Sequence, residues 1–153
     1  MRKLPVLLAV LFVTMTYAQN PEEVSVKRVI DLYFDGLNER DSVKIKLALS
    51  ENVRYQTIDE RFGKKVLKDD NLSEVIASIV TIPKTTKFEL KRSNVTINTD
   101  KQIANVWVTA QFYLYGAYYQ CGSSSFQLFK ENGDWKIISL LDNYAKGNCL
   151  DQE

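Results

Sequence analysis

The sequence predicts an α+β domain in which one long N-terminal helix lies across a strongly bent, largely antiparallel sheet. Three observations carry that reading. Val26, Val29, Ile30, Tyr33, Phe34 and Leu37 recur at i, i+3, i+4, i+7, i+8 and i+11, one stripe of a helix that needs a partner to bury it. From Phe88 onward, apolar and polar residues alternate as they do in strands. Asn132-Gly133 then separates two such runs, the pair that suits a two-residue hairpin turn with positive φ at both positions.

The N-terminus predicts export. Arg2 and Lys3 precede an apolar run, Leu4 to Val13, and Thr16-Tyr17-Ala18 supplies small residues at a cleavage position. The run is shorter than the roughly 20 residues a spanning helix needs. Residues 1–18 therefore read as a cleaved signal, and residues 19–153 as one domain in the periplasm or the medium. No cysteine follows the cut, which argues against a lipid anchor. The chain has a net charge of +1, and the signal takes two of the basic residues with it. Such balance argues against nucleic acid or an anionic membrane as partner. Cys121 and Cys149 meet an oxidising compartment, where a disulfide is expected ahead of two unpaired thiols.

Asn20 with Glu23 forms a capping-box pattern, and Pro21 suits the first helical turn. Asp31 and Asp35 point away from the apolar stripe, with Lys27 and Arg28 in pairing range of Asp31. Gly36 and Asn38 loosen the helix end. Asp41 caps a short helix over Ser42 to Ser50, although Val43, Ile45, Leu47 and Leu49 also alternate as a strand would. Val53 to Ile58 reads as a strand, Phe62-Gly63 as a turn and Lys65 to Leu67 as an edge strand. Asn71 and Glu74 cap a helix carrying Leu72, Val75, Ile76, Ile79 and Val80, and Pro83 ends it.

Phe88 to Ile97 is the first long strand, and Gln102 to Tyr115 is expected to be the longest. Ala104, Val106, Val108, Ala110, Phe112 and Leu114 give that second strand one apolar face. Its other face carries Asn105, Trp107, Thr109, Gln111, Tyr113 and Tyr115. The aromatic content there predicts a homodimer surface of Trp107, Gln111, Tyr113 and Tyr115, the alternative being scattered exposed rings. Gly116-Ala117 bends the chain into the strand Tyr118 to Phe129. Counting out from Asn132-Gly133 pairs Lys130 with Trp135, Leu128 with Ile137, Ser123 with Asp142 and Cys121 with Tyr144.

With these residues the chain resembles the nuclear transport factor 2-like superfamily. The motifs are Tyr33-Phe34-Asp35-Gly36-Leu37-Asn38 followed by Asp41, and Phe126-Gln127-Leu128-Phe129 through Gly133-Asp134-Trp135-Lys136-Ile137-Ile138. It looks most like small exported members labelled "putative lumazine-binding" or polyketide-cyclase-like, in which a Cys-Gly and a late Cys recur, here Cys121-Gly122 and Cys149. The resemblance implies a cone: a bent sheet around the long helix, with a cavity at the open end. Members include isomerases, dehydratases, cyclases, carriers and inert modules, so fold alone does not decide function.

The chemistry-bearing residues are few. There are no histidines, which removes imidazole metal sites and the commonest general base. No Gly-rich phosphate loop or carboxylate cluster with ligand spacing occurs, and neither metal nor cofactor is expected. In the ketosteroid isomerases of that superfamily, the resemblance implies that Tyr33 would match the helix tyrosine that donates a hydrogen bond to the substrate oxygen. The base position falls on Thr57 and the second oxyanion donor near Ser125, so two of three roles are unfilled. Asp59 could serve only if a bulge shifted its strand. Tyr33, Tyr55, Phe112, Phe126 and Asp142 are the candidate pocket residues, with Leu141 beside them. The expectation is a non-catalytic domain holding a small, largely apolar molecule. Its alternatives are an Asp/Tyr acid–base enzyme and a dimeric interaction module with a filled core.

Overall fold

A computed structural model describes residues 20–145, and for Glu60 and Arg61 the backbone alone. Residues 1–18, where the sequence predicts a signal, and Cys149 lie outside the described residues. The elements are α1 (Pro21–Glu39), α2 (Ser42–Ala48), β1 (Leu49–Arg61), β2 (Lys64–Asp69), α3 (Leu72–Val80), β3 (Phe88–Thr99), β4 (Ile103–Leu114), β5 (Ala117–Glu131) and β6 (Asp134–Ala145). They form one six-stranded mixed sheet in the order β2-β1-β6-β5-β4-β3, curled but unclosed. β1 runs parallel to β6, and every other neighbouring pair is antiparallel.

The apolar stripe of α1 does what its spacing requires. Val26, Ile30, Tyr33, Phe34 and Leu37 are buried against the concave side of the sheet, where Val106, Val108, Phe126, Leu128, Ile137 and Leu140 meet them. Tyr33 and Phe34 each stand edge-on to Phe126, at 5.6 and 6.0 Å between ring centroids. At the start of α1, Asn20 accepts from the Glu22 amide at 3.1 Å. The Glu22 carboxylate in turn receives Lys130 Nζ at 2.7 Å and Trp135 Nε1 at 2.9 Å, fixing the helix to the β5–β6 hairpin.

The far end of α1 is tied rather than loose. A Cβ on Gly36 would stand 2.8 Å from the Ile45 backbone nitrogen, so the glycine lets α2 approach closely. Asn38 acts as a strand edge: its Nδ2 donates to the Leu90 carbonyl at 3.2 Å and its Oδ1 accepts from the Leu90 amide at 2.7 Å. Arg40, in the left-handed conformation with φ 55°, donates to the carbonyls of Pro83 at 2.5 Å and Thr86 at 3.2 Å. The loop between α3 and β3 is thereby fixed to the helix end.

The hairpin turn has the expected geometry, with φ 51° at Asn132 and 96° at Gly133. Lys130 pairs with Trp135 and Leu128 with Ile137 as counted, but beyond them the register slips by one. A bulge leaves Gln127 opposite Ser139, so Ser124 rather than Ser123 faces Asp142, and Cys121 faces Ala145 rather than Tyr144. Element extents also differ from the sequence reading. α2 ends at Ala48, β1 extends from Leu49 to Arg61, and the longest strand is β5 rather than β4. β1 is long because it serves two partners, β6 along one edge and β2 along the other, a demand invisible in its own pattern.

Candidate functional site

Above the Phe126 layer, the concave face opens into a cavity of about 490 Å³. Its walls come from α1 (Tyr33, Leu37), α3 (Val75, Ile79), β3 (Leu90) and β4 (Phe112), among others. Each wall follows from local patterning. Alternation on β4 aims Phe112 inward, and the helical spacing of α3 turns Val75 and Ile79 the same way. A second bulge, at Tyr119 between the pairs Phe112–Gln120 and Tyr113–Tyr118, swings the Tyr119 ring to 5.3 Å from Phe112 at the rim.

One polar cluster sits in this apolar cup. Ser124 Oγ donates to Asp142 Oδ1 at 2.5 Å, and Tyr55 Oη donates to Asp142 Oδ2 at 3.0 Å. Tyr144 Oη lies 3.3 Å from Ser124 Oγ. Tyr33 faces the same group from α1, near enough for the Asp142 charge to act on it. The bulge in β6 makes the cluster. Trp135 and Ile137 point into the core, and uninterrupted alternation would carry Asp142 and Tyr144 to the outer face. The extra residue restores Leu140, Asp142 and Tyr144 to the concave side.

Electrostatics follow from burial. Desolvation raises the Asp142 pKa above the usual carboxylate value, and the hydrogen bonds from Ser124 and Tyr55 offset this only in part. Tyr33 and Tyr55 are pushed upward, first by burial and then by the Asp142 charge. Tyr144 is pushed up to about 12 by burial, with Asp142 adding to it. The three phenols thus stay protonated at neutral pH.

The structure brings Tyr33, Tyr55, Phe112 and Asp142 together around the cavity and sets Phe126, fully buried, in the layer beneath. Leu141 pairs with Ser125 away from the cavity wall: the bulge in β6 turns Leu141 outward, and Ser125 follows the unbroken alternation of β5. Thr57 lines the wall and donates to Asp70 Oδ2 at 2.5 Å. Asp59 stands opposite Val66 in an unshifted β1–β2 register, outside the cavity wall. Sequence reasoning missed Ser124 and Tyr144. Ser124 shares the parity of Gly122 and Phe126 and was legible from that; Tyr144 depended on the bulge. Among the described residues, no group of three or more His, Cys, Asp or Glu is placed to hold a metal ion. Likewise no described helix is long and apolar enough to cross a membrane.

On the outer face, Trp107 is 53% exposed, while Gln111 and Tyr113 are half-buried; Tyr115, 78% exposed, lies past the end of β4 in the turn, where φ 55° takes it out of the strand alternation that the sequence suggested. Tyr113 donates to Gln111 Oε1 at 3.0 Å and carries Lys91 Nζ 4.6 Å above its ring. Tyr118 donates to Cys121 Sγ at 2.8 Å on the same face.

This architecture has known relatives. Residues 21–141, α1 through most of β6, match the family described as "Putative lumazine-binding". The chain belongs to this family. Its fold is nuclear transport factor 2-like, as solved structures show. A protein of that fold from Shewanella baltica OS155, of unknown function, shares 17% identity at TM-score 0.64, covering 88% of this chain and 100% of that one. A putative scytalone dehydratase from Novosphingobium aromaticivorans shares 16% at TM-score 0.62, covering 81% and 84%. A putative ketosteroid isomerase from Shewanella frigidimarina shares 13% at TM-score 0.58, covering 79% and 94%. At such identities the likeness is one of fold. No curated protein matches the chain.

Proposed function

We propose that this lumazine-binding-family domain is a non-catalytic carrier that holds one small, largely apolar molecule in the cup above Phe126. The observation that carries the reading is the cavity itself. It is a space of about 490 Å³, within the range of small-molecule sites, with largely apolar walls and a polar cluster at Asp142 to fix orientation. Both oxygens of Asp142 already accept hydrogen bonds, from Ser124 and Tyr55, which suits holding better than proton transfer. Native mass spectrometry of the protein recovered from its own envelope tests this. The expected result is one retained small molecule per subunit, lost in Leu90→Trp, which fills the cup. Recovery of the empty chain alone, with no small molecule retained by the native protein, refutes the carrier reading.

A second reading has one observation in its favour. The raised Asp142, in a cleft beside Tyr33, is the kind of perturbed acid that active sites use. Turnover of an enolisable ketone that disappears in Asp142→Asn would replace the carrier by an acid–base enzyme.

Three further parts of the proposal rest on sequence and register. Residues 1–18 direct export, and the domain works in the periplasm or the medium. Cys121 faces Ala145, four positions before Cys149, which supports a bridge tying the tail to β5. The outer face with Trp107, Gln111, Tyr113 and Tyr115 joins two copies into a homodimer, since rings with polar tips favour interfaces.

A further inference from the structure

The chemistry of the cup narrows the ligand beyond "small and apolar". Among the described residues, seven aromatic rings line it, and Asp142 is the one acid in its wall. No lysine or arginine is among those lining residues. Cationic side chains that border the cup are engaged elsewhere. Arg92 pairs with Asp31 at 2.5 Å, Arg40 is spent on the carbonyls of the α3–β3 loop, and Lys68 pairs with Asp70. Asp142 is therefore a half-buried carboxyl group in the cup wall with hydroxyl donors and, among the described residues, no counter-ion.

A buried charge in that position is costly until an opposite charge joins it. Aromatic faces also attract a cation and give nothing to an anion. An entering carboxylate or phosphate meets like charge with no basic residue to receive it. A neutral alcohol can hydrogen-bond to the cluster but leaves the carboxylate uncompensated.

Resting on the carrier reading, we infer that the ligand class is an apolar amine bound as its ammonium ion. Its N–H groups meet Asp142 and its carbon skeleton lies against Tyr33, Tyr55, Phe112 and Tyr119. The groups facing Asp142 are Tyr33 from α1, Tyr55 from β1, Ser124 from β5 and Tyr144 from its own strand, with Asp70 acting through Tyr55. The three phenols stay neutral below pH 10, so Asp142 alone sets the pH response of the cup. Amine affinity rises as pH climbs through the Asp142 titration, because the ammonium then meets a carboxylate rather than an acid.

Isothermal titration of the purified mature chain with 1-adamantylamine, 1-adamantanol and 1-adamantanecarboxylate, one skeleton with three head groups, tests the inference. The amine is expected to bind at least about tenfold tighter than the alcohol at pH 7, and the carboxylate not at all. The amine-to-alcohol ratio should fall to about one in Asp142→Asn. If that variant does not fold, the same ratio measured on the native chain from pH 7 down to pH 4 must fall instead. An alcohol that binds as tightly as the amine, or a carboxylate that binds best, overturns the inference and leaves the carrier reading standing. Binding of none of the three removes both.

Discussion

Removing the Ser124 hydroxyl tests the electrostatics of the cup most directly. In Ser124→Ala, Asp142 loses the donor at 2.5 Å on Oδ1 and keeps only Tyr55 on Oδ2. Ser124 is 2% exposed, so its hydroxyl is committed to the carboxylate rather than to bulk water. The size of the loss depends on the charge of the acceptor. A hydrogen bond to an ionised group contributes about 1.5–3 kcal/mol net, one between neutral groups about 0.5–1.5 kcal/mol. The sign follows from linkage. Burial raises the folded Asp142 pKa above its unfolded value near 3.8, so its contribution to stability is complete below that value. It declines as pH rises through the folded value. Without Ser124 the folded value climbs further and the decline deepens. Urea unfolding of native and variant chains at pH 3.5 and pH 8 should therefore show a destabilisation about 1 kcal/mol larger at pH 8. A destabilisation equal at both values, or larger in acid, would refute the assignment of Ser124 as donor to an ionisable buried carboxylate.

Phe126→Ala removes a fully buried ring that Tyr33 and Phe34 both stand against, and should cost about 3–5 kcal/mol in denaturant melts. A cost under about 1 kcal/mol would mean that the layer beneath the cup is not packed as described. Trp107→Asp places a charge on the outer aromatic face, and sedimentation equilibrium should show a dimer becoming a monomer. A native chain that is already monomeric at high concentration removes the interface. Cys121→Ser, or reduction of the native chain, should lower stability by about 2–4 kcal/mol. Indifference of the melt to reductant would show that no bridge forms.

Much of this molecule is readable from residue order because helices and strands each impose one period. The stripe from Val26 to Leu37 determined α1 and its buried side, and Ala104 to Leu114 determined the inner face of β4. Asn132-Gly133 determined the last turn and the first pairs that follow it. Gly36 and Asn38 were read as helix breakers because local propensity says so. Their real partners, Ile45 and Leu90, are supplied by other elements. The same limit applies to the cup. No spacing rule announces the β6 bulge, since an extra residue is stabilised by pairing with β5 and β1 on either side rather than by its own sequence. That insertion alone turns Asp142 and Tyr144 inward and sets them beside Ser124 and Tyr55. The sequence determined which sides of its main helix and strands would be buried; only the assembled sheet decided which polar groups would share the space left over.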